Sequence, residues 1–387
     1  MASQTNQAAD CKLPETLAEI IRAEIGRRSA IPFVRFMELA LYHPECGYYE
    51  RTPAVVGRRG DYYTSVSVGP VFGELLAYQL GEWLEGQGDG GLAIIEAGAH
   101  DGRLAADILE SIRGERSELF ERLEYWILEP SERRRQWQAR TLGALEQRVR
   151  WFAGWPEMEP VGVQGVVVAN ELLDAMPVCR MGWDAGNHSW FEWGVSWEGG
   201  QFVWVKLREA LPGEEGAGGG RSGDPGQTMG ISLPTELLEV LPDGFTVEHS
   251  PAALAWWSAA ARTLRRGRLL AFDYGHTAEE LLAPERAGGT LRAYYKHQVT
   301  RDCLNRVGEQ DLTADVNFTA IQVAGEAAGL RTVELSPQGA FLTRVATRTW
   351  QPGARFLAWT ALRLRQFQTL THPEHLGRAF RVLVQER

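Results

Sequence analysis

The 387-residue sequence has few cysteines, and their spacing predicts neither disulfide bonds nor a metal site. Cys11, Cys46, Cys179 and Cys303 lie far apart, with no C-x-x-C pair and no histidine at the spacing of a metal ligand. We therefore expect reduced structural thiols and no bound metal.

Long apolar runs and an excess of basic residues are also missing. No stretch reaches the roughly 20 apolar residues that span a bilayer, and the first eleven residues lack the basic start and apolar run of a secretion signal. The net charge of -10 disfavours binding to nucleic acid or anionic lipid. We expect no membrane insertion, no nucleic-acid partner, a cationic partner, and a cytoplasmic location, with an organelle matrix as the alternative.

Strand-like and helix-like segments alternate from residue 92 onward. Apolar strands are predicted at LAIIEAG, LEYWILEP and GVVVAN, and amphipathic helices at GRLAADILESIR and SERRRQWQARTL lie between them. Further strands are predicted at 267–273, 331–335 and 380–384. This βαβαβ pattern is typical of an α/β fold with a doubly wound, mostly parallel sheet.

Other segments flank this pattern. Predicted helices at 16–27 and 32–41 precede an irregular, aromatic segment at 43–64, and aromatic alternation after residue 179 indicates antiparallel strands. The predicted organisation is a disordered tail at 1–12, a helical and irregular cap at 13–90, core halves at 91–178 and 249–387, an insertion at 179–248 with a mobile Gly-rich loop at 212–227, and a substrate-cap segment at 288–320.

The turn after the first of these strands has the features of a ligand-binding turn. In open α/β sheets, ligands bind at the carboxyl ends of the strands where the strand order reverses. Gly98 and Gly102 permit a tight turn and a close backbone approach, and Glu96 can accept hydrogen bonds. An ordinary strand-to-helix turn is the alternative.

Polar residues also end the next two predicted strands. Glu129 stands where an acid accepts hydrogen bonds from both hydroxyls of a ribose, although it can instead cap the following helix. Asn170 and Glu171 end the third strand, and Asp174 follows one turn later. Carboxylates around a pocket repel a pyrophosphate and attract a sulfonium cofactor such as S-adenosylmethionine.

Several longer motifs, in this order, resemble the MidA-like family of class I S-adenosylmethionine-dependent methyltransferases. They include FMELALYHPECGYY, GDYYTS, LEPSERRRQ, ANELLDAMPV, GTLRAYYKHQ, DLTADVNFTAI and QGAFL. The resemblance implies a seven-strand, Rossmann-like sheet with an added cap and S-adenosylmethionine as methyl donor. It also implies, as in mitochondrial members that assist complex I assembly, methylation of an arginine on a partner protein.

The cofactor site expected on this basis departs from the family at one position. The family turn is G-P-G-x-G, and His100 replaces its middle glycine, so that His100 either adopts a positive φ or weakens cofactor binding. The predicted cofactor-binding residues are Glu96, Gly98, Ala99, His100, Gly102, Glu129, Asn170 and Asp61.

Four residues are predicted to take part in catalysis. Glu171 and Asp174 are expected to hold an arginine guanidinium and accept its proton. Alternatively, Asp174 caps a helix and Glu171 binds only the cofactor. Asp273 ends a later apolar strand, and His276 beside it is either a proton relay or an ordinary loop residue.

A basic and aromatic run, GTLRAYYKHQ, contains Arg292, Lys296 and His297. In an otherwise acidic chain we expect it to belong to a substrate loop or cap. Three functions stay open: a protein arginine methyltransferase, a catalytically silent assembly protein with the methyltransferase fold, and a small-molecule methyltransferase. A homodimer also stays open.

Overall fold

The computed structural model describes residues 16–50, 64–85, 91–207 and 235–387. The predicted tail at 1–12, the Gly-rich loop at 212–227 and Asp61 lie outside these ranges. Within them, a central α/β sheet carries helices on both faces, and a second lobe combines the N-terminal helices with smaller antiparallel sheets.

The helices of the described chain are mostly short. Four 3-10 segments are at Tyr48–Glu50, Val66–Val68, Gly143–Arg148 and Pro284–Arg286. The α-helices are α1 (Leu17–Arg28), α2 (Phe33–Tyr42), α3 (Val71–Glu85), α4 (Arg103–Glu115), α5 (Ser117–Arg122), α6 (Glu132–Leu142), α7 (Trp155–Met158), α8 (Thr235–Val240), α9 (Pro251–Thr263), α10 (Ala278–Leu281), α11 (Phe318–Ala327), α12 (Gln338–Thr349), α13 (Ala361–Thr371) and α14 (Leu376–Ala379). None of these described helices is both long and apolar enough to cross a bilayer.

The strands of the described chain form three sheets. They are β1 (Ile31–Pro32), β2 (Leu92–Ala97), β3 (Leu123–Leu128), β4 (Val149–Phe152), β5 (Val163–Asn170), β6 (Cys179–Asp184), β7 (Ser189–Glu198), β8 (Gln201–Lys206), β9 (Thr246–His249), β10 (Leu264–His276), β11 (Arg292–Tyr295), β12 (Gln298–Thr300), β13 (Asp311–Thr313), β14 (Val316–Asn317), β15 (Arg331–Pro337) and β16 (Phe380–Glu386).

The central sheet has the strand order β15-β16-β10-β5-β2-β3-β4, and the short β14 pairs with the end of β10. From β10 to β4 the strands are parallel, whereas β16 runs antiparallel to both of its neighbours. The predicted doubly wound, mostly parallel α/β sheet is confirmed. The strand order reverses between β2 and β5, which places a ligand crevice at their carboxyl ends.

Burial of β5 on both faces shows why this segment forms a central strand. Val166 and Val168 pack into the core on one face and Val167 into the core on the other, and all three are fully buried. Such β-branched runs are typical of parallel strands covered by helices on both sides. Helix α3, grouped with the N-terminal cap in the sequence analysis, packs with α4 over one of these faces.

The second lobe is built from segments distant in sequence. An antiparallel sheet of order β1-β7-β6-β9, with β8 on β7, contains the strands expected after residue 179. Helix α2 packs on it, with the Phe33 and Trp204 rings 4.8 Å apart. The core of this lobe also includes residues from β11 and β13, which join β12 in a three-stranded sheet. The cap therefore shares one core with the insertion and with the segment around residue 300.

Of the described cysteines, Cys303 is buried, and Cys46 and Cys179 are partly buried. Cys46, Cys179 and Cys303 form no disulfide within the described ranges, and Cys11 lies outside them. Burial raises the pKa of Cys179 and of Cys303 to about 12, so that both are thiols rather than thiolates at neutral pH.

Candidate active site

The carboxyl ends of β2, β3, β5 and β10 bring most of the predicted site residues to one edge of the sheet. Ala97 on β2 pairs with Leu128 on β3, just before Glu129. Asn170 at the end of β5 pairs with Phe272 on β10, next to Asp273. Because neighbouring strands lie about 4.8 Å apart, these four ends form a continuous rim.

The turn after β2 has the backbone shape that its glycines predict. Gly98 and Gly102 have φ angles of 72° and 84°. A Cβ atom at Gly98 would lie 2.8 Å from Leu172 Cδ1, and one at Gly102 would lie 2.9 Å from Gln138 Cα. Ala99 is buried, and its carbonyl accepts a 2.6 Å hydrogen bond from the Gly102 N–H. The turn is therefore closely enclosed by its neighbours.

His100 adopts the conformation of the glycine that it replaces. Its φ angle is 44°, in the left-handed region that disfavours side chains, although histidine is among the residues found there. Its carbonyl accepts a 3.2 Å hydrogen bond from Gln138 Nε2. The sequence left two outcomes open for His100, a positive φ or weakened cofactor binding, and the structure shows the positive φ.

Glu96 is buried inside the sheet edge rather than exposed in the crevice. Its side chain is 3% exposed, and the Tyr125 hydroxyl donates a 2.6 Å hydrogen bond to Oε2. Burial raises the pKa of Glu96 to about 7, against the opposing effect of the Tyr125 bond. Oε1 accepts no hydrogen bond from the described residues and retains acceptor capacity.

Glu129 lies in a network that links the sheet to the N-terminal cap. Its Oε1 accepts from the Ser131 N–H and Arg134 Nε, both at 2.9 Å, and its Oε2 accepts from Gln138 Nε2 at 3.2 Å. Ser131, and not Glu129, is the N-cap residue of helix α6. Burial raises the pKa of Glu129, and the charge of Arg134 opposes that rise.

Glu50, from the cap, completes this network. Its Oε2 accepts a 2.8 Å hydrogen bond from Ser131 Oγ, and its Oε1 lies 3.7 Å from Arg134 Nη2. No role for Glu50, Arg134 or Gln138 was predicted from the sequence. The charge-rich LEPSERRRQ motif was the available signal for Arg134 and Gln138, whereas nothing local predicted the contact with Glu50.

Asn170 carries an acceptor with no donor among the described residues. Its Oδ1 is buried there without a hydrogen-bond partner, while its Nδ2 donates to Glu171 Oε1 at 3.2 Å. Such an orphaned acceptor is costly unless a donor reaches it. The amino group of S-adenosylmethionine is a suitable donor, and the residues present therefore fit this cofactor.

A cavity of about 280 Å³ opens beside Glu171. It lies between the sheet edge and the second lobe, and its lining combines carboxylates with aromatic rings. The lining residues are Glu171, Asp174 and Asp311, the tyrosines Tyr49, Tyr274 and Tyr294, and His297, Val299, Thr313 and Leu376. Glu171 and Asp174 were predicted from the sequence as site residues. Asp311 and the tyrosines were not.

Glu171 is held in a strained backbone conformation at the cavity wall. Its φ is 50°, and its N–H donates to the Phe272 carbonyl at 2.8 Å. Oε1 accepts from the Ser65 N–H at 2.8 Å and from Asn170. Burial raises the pKa of Glu171 to about 8 despite these donors.

Asp174 faces the same cavity from the loop that follows β5. Burial raises its pKa to about 6, and the nearby Arg292 counteracts part of that rise. Its carbonyl accepts from the Ala314 N–H at 3.0 Å, and no helix begins at Asp174 in the described chain. The alternative role of Asp174 as a helix cap is therefore wrong.

Asp273 and His276 do not line the cavity. Asp273 is fully buried, and its oxygens accept from the N–H groups of Leu172, Leu173 and Tyr274. His276 Nε2 lies 3.1 Å from Asp315 Oδ2, at the outer end of β10. Both residues were predicted to take part in catalysis, and the structure places neither of them in the wall of this cavity.

Arg292 contacts two of the tyrosines that line the cavity. Its Nη1 lies 2.5 Å from Asp315 Oδ1, its Nε donates to the Tyr294 hydroxyl at 3.0 Å, and its guanidinium lies 5.5 Å from the centre of the Tyr274 ring. Of the same basic run, His297 lines the cavity itself.

Comparisons with known proteins agree with this geometry. A family model for S-adenosyl-L-methionine-dependent methyltransferases matches residues 75–336. The mitochondrial protein arginine methyltransferase NDUFAF7 homologue of Drosophila melanogaster is 28% identical over 393 residues, covering 95% of this chain and 84% of its own length. The Rattus norvegicus protein arginine methyltransferase NDUFAF7 is 25% identical over 408 residues, covering 98% and 86%.

A solved structure is similar over nearly the whole chain. A methyl transferase superfamily member from Burkholderia thailandensis, crystallised with S-adenosyl-homocysteine, is 32% identical with a TM-score of 0.78. The match covers 96% of this chain and 92% of that one. A native crystal structure from the same superfamily and organism gives a TM-score of 0.75 at 31% identity, covering 96% and 91%.

Proposed function

Because this chain belongs to the family of S-adenosyl-L-methionine-dependent methyltransferases, we propose that it methylates an arginine side chain of a partner protein. The observation that carries this proposal is the cavity at the sheet edge, which is lined by the carboxyl groups of Glu171 and Asp174 together with tyrosine rings. The names of the relatives from fly and rat support the same acceptor.

The cofactor-binding residues are assigned by their place at the sheet edge. Backbone groups of the turn from Gly98 to Gly102 would approach the cofactor, the orphaned Asn170 Oδ1 would accept from its amino group, and Glu129 would accept from its ribose. Glu96 stands two residues before Gly98, near the end of β2, and its Oε2 accepts a hydrogen bond from the Tyr125 hydroxyl on β3. When bound, S-adenosylmethionine supplies a methyl group on a sulfonium sulfur, which keeps the bonding electron pair when the methyl leaves.

The cavity is chemically matched to a guanidinium group. Carboxylates bind its planar N–H fork, and tyrosine faces attract its charge. The entry of a cation into the cavity lowers the pKa of both Glu171 and Asp174, because an opposite charge favours the ionised carboxylate. A guanidinium therefore binds to a cavity that becomes more anionic as it enters.

Glu171 and Asp174 share two tasks in the reaction. They orient the acceptor nitrogen towards the methyl group, and one of them takes the proton that the nitrogen loses as its bond to carbon forms. Glu171 is suited to the second task, because burial raises its pKa to about 8, so that its carboxylate can take up a proton near neutral pH even after a bound guanidinium has lowered that pKa. Asp273 is a positioning residue that fixes the backbone after Glu171.

The two other functions have less support. A catalytically silent protein was considered because the middle glycine is lost, yet His100 keeps the positive φ that this position needs. A small-molecule acceptor would need a site closed around it, whereas this cavity is rimmed by exposed Val299 and the β11–β12 hairpin.

The proposal is tested by following the methyl group. A lysate is incubated with methyl-labelled S-adenosylmethionine and purified wild-type protein, and labelled proteins are mapped by mass spectrometry. We expect label on an arginine with wild type, and a loss of at least about a hundredfold with Glu171→Gln or Asp174→Asn. Label on a metabolite, or on another residue type, would overturn arginine as the acceptor.

Cofactor binding provides the control for that experiment. Calorimetric titration with S-adenosylhomocysteine should give similar affinities for wild type, Glu171→Gln and Asp174→Asn, because both amides preserve the shape of the side chain. Glu129→Ala should bind at least about tenfold more weakly. A wild-type protein that binds the cofactor but labels nothing would favour the silent assembly protein.

A further inference from the structure

Three residues that line the cavity form a single row across the three-stranded sheet. Tyr294 on β11 pairs with Asp311 on β13 on one side and with Val299 on β12 on the other. Residues directly opposite each other in antiparallel strands project from the same face. Asp311, Tyr294 and Val299 therefore present their side chains together, and all three line the cavity.

The hairpin turn fixes which backbone groups of β12 face outward. Lys296 and His297 form a two-residue turn, and their φ angles of 48° and 62° match a type I′ hairpin. The flanking pair, Tyr295 and Gln298, is then hydrogen-bonded, whereas the next pair, Tyr294 and Val299, is not. The N–H and C=O of Val299 therefore point away from β11.

The outer side of β12 is open in the described chain. Within the described ranges, β12 is an edge strand that pairs only with β11. Its three residues are exposed, and the Val299 side chain is 61% exposed although it is apolar. An added strand would form two hydrogen bonds with Val299, and its residue opposite Val299 would extend the row on the cavity face.

We propose that an extended segment of the protein substrate pairs with the open edge of β12, with the arginine to be methylated opposite Val299. This inference rests on the proposed arginine methyltransferase function. An arginine in this position continues the row, and its side chain passes over Val299 and Tyr294 towards Glu171 and Asp174. Charge complementarity supports this occupant, because three carboxyl groups line the cavity and the chain carries a net charge of -10.

An extended segment fits this edge better than a helical one. A helix satisfies its own backbone groups, so it would leave the outward N–H and C=O of Val299 without partners. A strand uses both groups, and the strand spacing of about 4.8 Å keeps the arginine within one side-chain length of the cavity mouth.

The test uses the blocked peptide acetyl-Thr-Val-Arg-Val-Thr-amide in the presence of S-adenosylhomocysteine, with binding measured by calorimetry. Val299→Pro removes the outward N–H but no bond of the hairpin, because proline is tolerated on the open side of an edge strand. Val299→Ala is the matched control that keeps both backbone groups. We expect Val299→Pro to weaken peptide binding about tenfold and Val299→Ala to change it by less than about threefold.

A second probe removes the other hydrogen bond of this antiparallel pair, in which the N–H of the peptide's arginine donates to the Val299 carbonyl. Methylation of the backbone nitrogen of this arginine should weaken binding about tenfold to wild type and to Val299→Ala, because both keep that carbonyl. Equal binding of the plain peptide to wild type and Val299→Pro, or no binding to wild type, would overturn the docking proposal. Unchanged affinity for S-adenosylhomocysteine verifies that each variant is folded.

The two proposals fail separately in this design. A peptide that binds as expected but receives no methyl group from saturating S-adenosylmethionine would count against arginine methylation and leave strand pairing supported. A peptide that is methylated equally well by wild type and Val299→Pro would support arginine methylation and count against strand pairing.

Discussion

His100 and Glu171 hold backbone angles that a side chain disfavours, and each follows the carboxyl end of a strand of the central sheet. Strain of this kind costs on the order of 1–3 kcal/mol per residue and persists where surrounding contacts enforce it. At His100 the enforcing contact is the hydrogen bond from Gln138 to its carbonyl. At Glu171 it is the bond from its N–H to the Phe272 carbonyl.

We predict opposite effects for two substitutions of His100. His100→Gly should bind S-adenosylhomocysteine at least as tightly as wild type, because glycine adopts φ near 44° without strain. His100→Val should lower thermal stability by about 1–2 kcal/mol and weaken cofactor binding, since a β-branched residue is strongly disfavoured there. Calorimetry and thermal unfolding measure both effects. Equal behaviour of the two variants would mean that the turn does not depend on this angle.

The pKa of Glu171 predicts how stability changes with pH. Its folded-state pKa of about 8 exceeds the ordinary value of 4.5, so folding is linked to proton uptake between these values. Wild-type stability is therefore lost as pH rises through this window, and Glu171→Gln should gain on wild type by a few kcal/mol between pH 5 and pH 8. Denaturant unfolding at a series of pH values measures the difference.

Asp174→Asn provides the comparison for that series. The pKa of Asp174 is raised from 3.8 to about 6, so a smaller gain should appear over a lower pH range and level off above pH 6. If the free energy of unfolding of each variant differs from that of wild type by the same amount at every pH, neither carboxyl group has a pKa raised by burial.

Single residues were predictable where the chemistry is local in sequence. Glu96, Glu129, Asn170 and Glu171 were found because each ends a recognisable strand, and strand ends share one edge of a parallel sheet. Asp311 was not found, because it reaches the cavity through the pairing of β13 with β11, and no residue pattern near Asp311 in the sequence indicates that pairing. The assigned roles of all these residues stay predictions.

At the scale of elements, the start of helix α6 connects the cofactor side of the sheet to the cap. Arg134, on its first turn, lies between Glu129 and Glu50. The guanidinium counteracts the effect of burial on the pKa of Glu129 and so favours its carboxylate form, which the proposed ribose contact requires.

We predict that Arg134→Met makes cofactor binding depend on pH. Without the positive charge the pKa of Glu129 rises further, so affinity for S-adenosylhomocysteine should fall more steeply from pH 8 to pH 6 than it does in wild type. Arg134→Lys keeps a positive charge at this position and should lose markedly less affinity over the same pH range. Calorimetry at the two pH values measures both, and parallel pH profiles would show that Arg134 does not act through Glu129.

The elements that the sequence predicted well are those with strong periodicity. Strands β2, β3 and β5 and helices α4 and α6 lie where apolar runs and amphipathic spacing predicted them. The two-residue β1 was missed, because its strand conformation depends on pairing with β7. The antiparallel direction of β16 was also missed, since direction follows from topology and not from residue pattern.

At the scale of the molecule, the cavity lies where the two lobes meet. Glu171, Asp174 and Tyr274 come from the sheet edge, whereas Tyr49 and Asp311 come from the second lobe. The Tyr42 hydroxyl, at the end of α2, joins the lobes by donating a 3.0 Å hydrogen bond to the Ala175 carbonyl, next to Asp174.

We predict that Tyr42→Phe separates methyl transfer from cofactor binding. Loss of this hydrogen bond frees the Asp174 segment from the cap, so kcat should fall about three- to tenfold, while affinity for S-adenosylhomocysteine should stay within about twofold. Steady-state kinetics with the methylated substrate and calorimetry measure the two quantities. An equal loss in both would mean that Tyr42 serves general stability instead.

The position of β16 has a consequence for the protein during its synthesis on the ribosome. Strand β10 receives its second long neighbour only when residues 380–386 emerge, roughly a hundred residues after His276. At about 5–20 residues per second, this edge stays unpaired for about 5–20 s. An unpaired, apolar strand edge recruits other chains. The nascent protein should therefore depend on chaperones that shield β10 throughout that interval.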